Sequence, residues 1–235
     1  DSPCTVSPPT PYLKLWLTVE TQLRRAIYET FQSLETLHES KAAWLLSQHL
    51  PAHTPLFIAN SMPVRDMEWF WQPGNSQIQP YCNRGANGID GTLSTALGMA
   101  HRDRPIVLLT GDLSLLHDTN GFLIQPHWQG HLTVVLINNQ GGGIFGMLPI
   151  ADFEPPFETY FATPQSVDFA TLCAAYQVEY QRVKSWPDLV AQLNPLPERG
   201  IRVLEVACDR HQDAQWRKAT LDRLSACIYP SVKAN

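Results

Sequence analysis

Two short polar signatures close two apolar runs. Gly111-Asp112 follows Pro105-Ile106-Val107-Leu108-Leu109-Thr110, and Asn138-Asn139 follows Leu132-Thr133-Val134-Val135-Leu136-Ile137. Three glycines, Gly141, Gly142 and Gly143, come directly after. Asp112 offers a carboxylate oxygen, and Asn139, 27 positions later, an amide oxygen. In the glycine loop a backbone carbonyl can turn inward where a side chain would clash. These are hard oxygen donors of the kind Mg²⁺ takes when it shares its octahedral shell between protein and a bound diphosphate. Leu113, Ser114 and Leu115 open a helix, so their free N–H groups can face an anion. Either dipeptide alone reads as an ordinary cap or turn. Together, at strand ends with a glycine loop behind them, they point to a metal–diphosphate site.

The elements that must position these groups follow a strand–helix rhythm. The two apolar runs have the length and β-branched content of buried strands. Leu56-Phe57-Ile58-Ala59 and Ile201-Arg202-Val203-Leu204-Glu205-Val206 read the same way, with weaker strands at 78–81 and 179–183. Helices are expected near 64–71, 91–101, 115–127, 169–176, 187–193 and 211–228, the last amphipathic. Ala96, Gly98 and Ala100 give the second of these a small-residue face for close packing, in a core or at an interface. Residues 150–165, rich in Pro and Phe without period, read as a loop or lid. This alternation predicts an α/β fold: a doubly wound parallel sheet with helices on both faces. Ligands in such folds sit at the carboxyl ends of the strands, where Asn60-Ser61, Gly111-Asp112 and Asn138-Asn139 all lie.

Upstream, prolines 8, 9 and 11 suggest an extended linker over residues 1–17, because proline removes a donor and fixes φ. Leu23, Ile27, Phe31 and Leu34, then Leu37, Trp44, Leu45 and Leu50, recur at helical spacing and predict two helices. The expected division is a linker or end of a preceding domain over 1–35 and the diphosphate-binding domain over 36–235. The opening Asp1-Ser2-Pro3-Cys4 reads as the interior of a longer protein.

At 235 residues, 44% hydrophobic and 17% charged, the chain is ordinary globular material. Its formal net charge of −5 supplies no general field for nucleic acid or anionic membrane, so any anion site must be local. No apolar stretch approaches a membrane span. The five scattered cysteines form no Cys-x-x-Cys pair and read as reduced thiols.

The pattern Gly-Asp, some two dozen residues, then Asn-Asn resembles the motif of thiamine-diphosphate (ThDP) enzymes. Leu113 stands where that motif usually has Gly, which narrows the family. The stretches Asn83-Arg84-Gly85-Ala86-Asn87-Gly88-Ile89-Asp90-Gly91, Gly111-Asp112-Leu113-Ser114 and Asn138-Asn139-Gln140-Gly141-Gly142-Gly143-Ile144-Phe145 resemble the MenD family. These are 2-succinyl-5-enolpyruvyl-6-hydroxy-3-cyclohexene-1-carboxylate synthases of menaquinone and phylloquinone biosynthesis. The resemblance runs from about Leu56 onward and corresponds to the family's C-terminal, diphosphate-binding domain.

That resemblance implies ThDP with Mg²⁺ or Mn²⁺ as cofactors, and 2-oxoglutarate and isochorismate as substrates. The first is decarboxylated, and the resulting succinyl carbanion equivalent is added to the second. It implies Asp112, Asn139 and the Gly141 carbonyl as metal ligands. Gly111, Leu113, Ser114, Gly142 and Ile144 join them around the cofactor, with Ile89 beneath its bent rings. It implies Arg65 and Arg84 as carboxylate-binding arginines, whose planar guanidinium suits that task. Ser61 is read as hydrogen-bonding substrate or phosphate. Ile144, Phe145 and Leu148 are read as pocket wall, with plain core packing an equal alternative.

The carboxylate that activates the cofactor lies, in that family, in an N-terminal domain supplied by a neighbouring subunit. Glu20, Glu29, Glu35 and Glu39 match no motif, so no catalytic residue is expected here, and the chain alone should be inactive. The resemblance further implies a homodimer or homotetramer at full length, in a cytoplasm or a plastid. His117, His127 and His131 lack metal spacing and read as structural or surface residues. Asp118 and Asn120 read as polar groups of a helix face. Two other readings stay open: a ThDP decarboxylase or synthase with a different acceptor, and a non-catalytic nucleotide-binding module on the same sheet.

Overall fold

The computed structural model describes residues 10–233, with side chains through 228. They form two compact units, 34–215 and a smaller one built from the two ends of the chain, up to 33 and from 216.

The smaller unit contains helix α1 (Pro11–Gln32) and most of α8 (Arg210–Lys233). Here the structure corrects the linker expected over 1–17: residues 11–17 are helical, and residues 1–9 lie outside the described residues. The reason is local. Pro11 occupies the first helical position, where its missing N–H costs nothing, and the Thr10 hydroxyl accepts the Leu13 N–H at 3.2 Å. Phe31 of α1 meets Trp216 of α8 at a centroid distance of 5.5 Å, and Arg223 donates to Thr30 Oγ1 at 2.9 Å.

The larger unit is built on six parallel strands: β1 (Pro55–Ile58), β2 (Gln79–Cys82), β3 (Ile106–Gly111), β4 (His131–Asn138), β5 (Glu179–Arg182) and β6 (Gly200–Ala207). Their order is β2-β1-β3-β4-β6-β5. After β2 the connection crosses back over β1 to β3, so a crevice opens at the carboxyl ends of β1 and β3. The central strands are buried on both faces, which is why they read as nearly continuous apolar runs. One face, carrying Ile106, Leu108, Leu132, Val134 and Leu136, packs against α4 (Thr92–Ala100) and α6 (Phe169–Ala175). Ala96 and Ala100 lie fully buried in that layer, so α4 uses its small residues for the core. The opposite face is covered by α2 (Glu39–His49), α3 (Met62–Phe70) and α7 (Trp186–Leu193).

A single helix over 115–127 is not what forms. A short α5 (Asp112–Leu116) gives way to a 3₁₀ segment, Thr119–His127, with Pro126 inside it. Proline cannot donate the helical bond, and Asp118 is engaged elsewhere: its carboxylate accepts the Ser94 N–H at 2.7 Å and the Ser94 hydroxyl at 2.9 Å, capping α4 from outside. The expected loop at 150–165 carries a 3₁₀ turn, Pro149–Asp152, and a π turn, Glu158–Ala162.

At the opposite end of the sheet from the crevice, His131 is 1% exposed, between the Arg199 carbonyl and Thr133 Oγ1. Burial first, with the nearby Arg202 guanidinium adding to it, lowers its pKa to about 4. A histidine depressed in the folded state stays neutral while its unfolded counterpart takes a proton, so its contribution is lost as pH falls from about 6.5 toward 4. Relative to His131→Gln, the wild type should lose about 3 kcal/mol between pH 7 and pH 4. Denaturant titrations at both pH values check this; an unchanged difference refutes it.

Candidate active site

The site begins where β3 and β4 end. After Gly111 the chain turns at once into α5, and Asp112 is its first residue, only 3% exposed. One carboxylate oxygen accepts the Leu113 N–H and the other accepts the Gly141 N–H, each at 2.8 Å. Burial nevertheless raises the Asp112 pKa to about 6, against the lowering effect of these backbone bonds. Such a carboxylate is short of positive charge, and a divalent cation would provide it.

Asn138 and Asn139 each fold back on the chain. Asn138 Oδ1 accepts the Gln140 N–H at 3.2 Å, and Asn139 Oδ1 accepts the Gly141 N–H at 3.1 Å. Each is also held by a buried acid. Asn138 donates to Glu205 at 2.6 Å, and Asn139 donates to Glu39. The Gly141 N–H is thus shared by Asp112 and Asn139. Two residues from neighbouring parallel strands are brought to one point, as the paired signatures require.

The glycines have specific reasons. Gly141 adopts φ +143°, and a Cβ there would sit 2.4 Å from the Ala162 carbonyl oxygen. A Cβ on Gly143 would fall 2.6 Å from Asn139 Nδ2 and 3.1 Å from Glu39 Oε1. The third glycine therefore leaves room for the Asn139–Glu39 contact. The π turn at 158–162 lies against this loop: Gly142 donates to Ala162 O at 2.7 Å, and Arg210 holds both the Gln140 carbonyl (3.2 Å) and the Glu158 carboxylate.

The other wall comes from the end of β1. Asn60, buried, donates to the Gly88 carbonyl at 2.7 Å and accepts from Arg84 at 2.7 Å. It ties the loop that carries Ile89 and sets the Arg84 guanidinium. Ser61 stands at φ +70°, a strained position for a non-glycine residue, and its carbonyl accepts from Arg65 at 2.7 Å. The Ser114 hydroxyl donates to the Ile89 carbonyl at 2.9 Å, linking this loop to α5.

These groups surround one cavity of about 410 Å³, within the ~300–1,000 Å³ typical of small-molecule sites. Ser61, Arg65, Arg84, Ile89, Gly111, Asp112, Leu113, Ser114, Asn139, Gly142, Ile144 and Phe145 all line it. Gly141 does not line it and contributes its N–H to Asp112 and Asn139. Leu148 does not line it either and is 47% exposed. Two acids that sequence reasoning did not connect with the site also face it, Glu39 and Asp66; Asp66 accepts from Ser40 at 2.8 Å. No spacing could reveal Glu39, since 100 positions separate it from Asn139. Among the described residues no group of three His, Cys, Asp or Glu side chains is arranged for a metal. The oxygen donors gathered here are of another type, the Asp112 carboxylate and the Asn139 amide, while the Gly141 carbonyl accepts the Gly143 N–H at 3.0 Å. They fit a hard cation carrying a diphosphate.

The family described as thiamine pyrophosphate enzyme, C-terminal TPP binding domain, matches residues 67–206. The 2-succinyl-5-enolpyruvyl-6-hydroxy-3-cyclohexene-1-carboxylate synthase of Trichormus variabilis is 61% identical over 215 residues, covering 92% of this chain and 37% of that protein. The synthase of the same name from Rippkaea orientalis is 59% identical over 214 residues (91% and 36%), and that of Synechococcus elongatus 54% over 224 (95% and 38%). The chain spans little more than a third of the length of these relatives. Among solved structures, benzoylformate decarboxylase from Polynucleobacter necessarius superimposes with a TM-score of 0.57 at 19% identity, over 73% of this chain and 33% of that one; the likeness is one of fold. The MenD resemblance read from the motifs is borne out by the names of relatives this similar. The chain belongs to the thiamine pyrophosphate enzyme family, and residues 67–206 are its C-terminal TPP binding domain.

Proposed function

We propose that this chain is the cofactor-binding part of a synthase that decarboxylates 2-oxoglutarate and transfers the succinyl unit to isochorismate, on the route to menaquinone or phylloquinone. The observation that carries the reading is the convergence of Asp112 and Asn139 on the Gly141 N–H at the edge of a cavity that both line together with two arginines. Asp112, Asn139 and the Gly141 carbonyl would hold Mg²⁺ or Mn²⁺, which would supply the positive charge that a ThDP diphosphate needs. When bound, ThDP supplies the electron sink that lets the bond beside a keto group break. Ser114, whose backbone lies in the first turn of α5, stands at the diphosphate end, and Ile89 supports the rings. Arg65 and Arg84 bind and orient substrate carboxylates, while Ile144 and Phe145 keep water from the reacting atoms.

In this reading the group that activates the cofactor comes from another domain of the full protein, and the working form is a homodimer or homotetramer. The chain by itself should therefore bind Mg·ThDP weakly and show no turnover. Fluorescence of its seven tryptophans, titrated with ThDP plus Mg²⁺, ThDP alone, or a nucleoside diphosphate plus Mg²⁺, tests the cofactor reading. A saturable change is expected only in the first case. An equal response to the nucleotide would favour a general nucleotide module. Synthase turnover by the chain alone would refute the division of the site between domains.

A further inference from the structure

Glu39 is the first residue of α2 and is 3% exposed, a rare state for a glutamate unless it is partnered. It lines the cavity and accepts a hydrogen bond from the Asn139 side-chain amide. An asparagine amide presents oxygen on one side and NH₂ on the other, and half a turn about its last bond exchanges them. Only the oxygen can ligate a cation. A carboxylate can only accept, so it holds the NH₂ and leaves the oxygen on the other side. That oxygen has two lone pairs, and the Gly141 N–H uses one of them at 3.1 Å. The other is free to face a cation.

Resting on the metal–ThDP reading above, we propose that Glu39 is a positioning residue: it selects the amide orientation in which Asn139 turns oxygen toward the ion. Gly143 belongs to the same device, since any Cβ there would press on both partners of the Asn139–Glu39 contact. The neighbouring pair makes the contrast. Asn138 is held by Glu205, which also accepts from the Tyr180 hydroxyl, but neither Asn138 nor Glu205 lines the cavity. Glu205 shapes the end of β4; Glu39 acts on the ligand itself.

The test uses the full protein saturated with ThDP, with Mn²⁺ as the probe and electron paramagnetic resonance as the readout of free and bound ion. Glu39→Ala should weaken Mn²⁺ binding about 10–100-fold, the usual cost of losing the hydrogen-bond partner of a metal ligand. Glu39→Gln, whose amide can either accept from Asn139 or donate to its flipped oxygen, should lose affinity to a degree between wild type and Glu39→Ala, whereas Glu205→Gln should stay within about threefold of wild type. The spectrum of Mn²⁺ still bound to Glu39→Ala should differ from wild type, a change that packing alone would not produce. If wild type fails to bind Mn²⁺ with ThDP, the underlying reading falls and this proposal with it. If wild type binds and Glu39→Ala binds equally well, only the proposal falls. An equal loss in Glu205→Gln would show a general loosening of the strand end and overturn it as well. Should Glu39→Ala not fold, Gly143→Ala applies the pressure from the other side: weakened Mn²⁺ binding supports the proposal, and unchanged affinity refutes it.

Discussion

Asp112→Ala in the full protein is expected to abolish metal-dependent binding of ThDP. The carboxylate can bring negative charge to an ion and also organises the loop opposite, through the bond it accepts from Gly141. Removing it takes a ligand from the ion and frees the Gly141 N–H and its loop together. The loss should exceed the ~10–100-fold that follows from removing a mere partner of a ligand. Calorimetry with ThDP in the presence of Mg²⁺ and again with chelator reads it directly. Wild type should show tight binding only with metal, and the variant should show the weak, metal-independent value in both. Unchanged affinity would remove Asp112 from the site. The elevated pKa of Asp112, about 6, has the same origin. Burial penalises the charged carboxylate, and in the proposed reading a bound cation would offset that penalty.

Arg84→Ala should do the opposite: spare the cofactor and damage substrate use. Arg84 is exposed on its loop, and Asn60 Oδ1 anchors one of its nitrogens at 2.7 Å, leaving other donors of the guanidinium fork for a carboxylate. Hydrogen bonds to charged groups are worth about 1.5–3 kcal/mol each, so losing a two-bond clamp should cost about a hundredfold or more in kcat/KM for 2-oxoglutarate plus isochorismate. Affinity for Mg·ThDP should stay within about threefold. Steady-state kinetics beside cofactor calorimetry separates the two. A variant that loses ThDP but keeps kcat/KM at saturating cofactor would exchange the roles assigned to the two ends of the cavity.

Both results turn on residues that stand in one short segment each, and that is why they are legible in the sequence. Asp112 and Asn139 sit at the ends of long β-branched runs, and such runs declare buried parallel strands by composition alone. Parallel strands place their carboxyl ends on one edge, so two polar dipeptides at two strand ends must share that edge. Ser61 and Arg84, each just beyond a strand end, follow by the same logic. The order of the strands, with β1 and β3 adjacent and the crevice between their ends, needed the fold.

Local chemistry shows the limit from the other side. Proline breaks helices in general, so Pro11 reads as linker in the sequence, yet at the first helical position it favours a helix. Residues 115–127 carry a helical pattern of apolar side chains, but Pro126 and the engagement of Asp118 with α4 divide the segment. Leu148, placed in the pocket wall by its neighbours in sequence, turns outward after a 3₁₀ turn that a linear pattern does not encode.

Amino-acid order alone therefore determined the sheet, its polar edge and the two polar signatures at strand ends, because each is written in residues that are neighbours along the chain. Tertiary structure alone decided what holds them. Glu39 reaches Asn139 across 100 positions, Asn60 clamps a loop more than twenty residues away, and Gly143 leaves room where the nearby Asn139 and the distant Glu39 meet. The physical reason is that a ligand's type is a property of one residue, whereas its orientation depends on hydrogen-bond partners that only packing brings within reach.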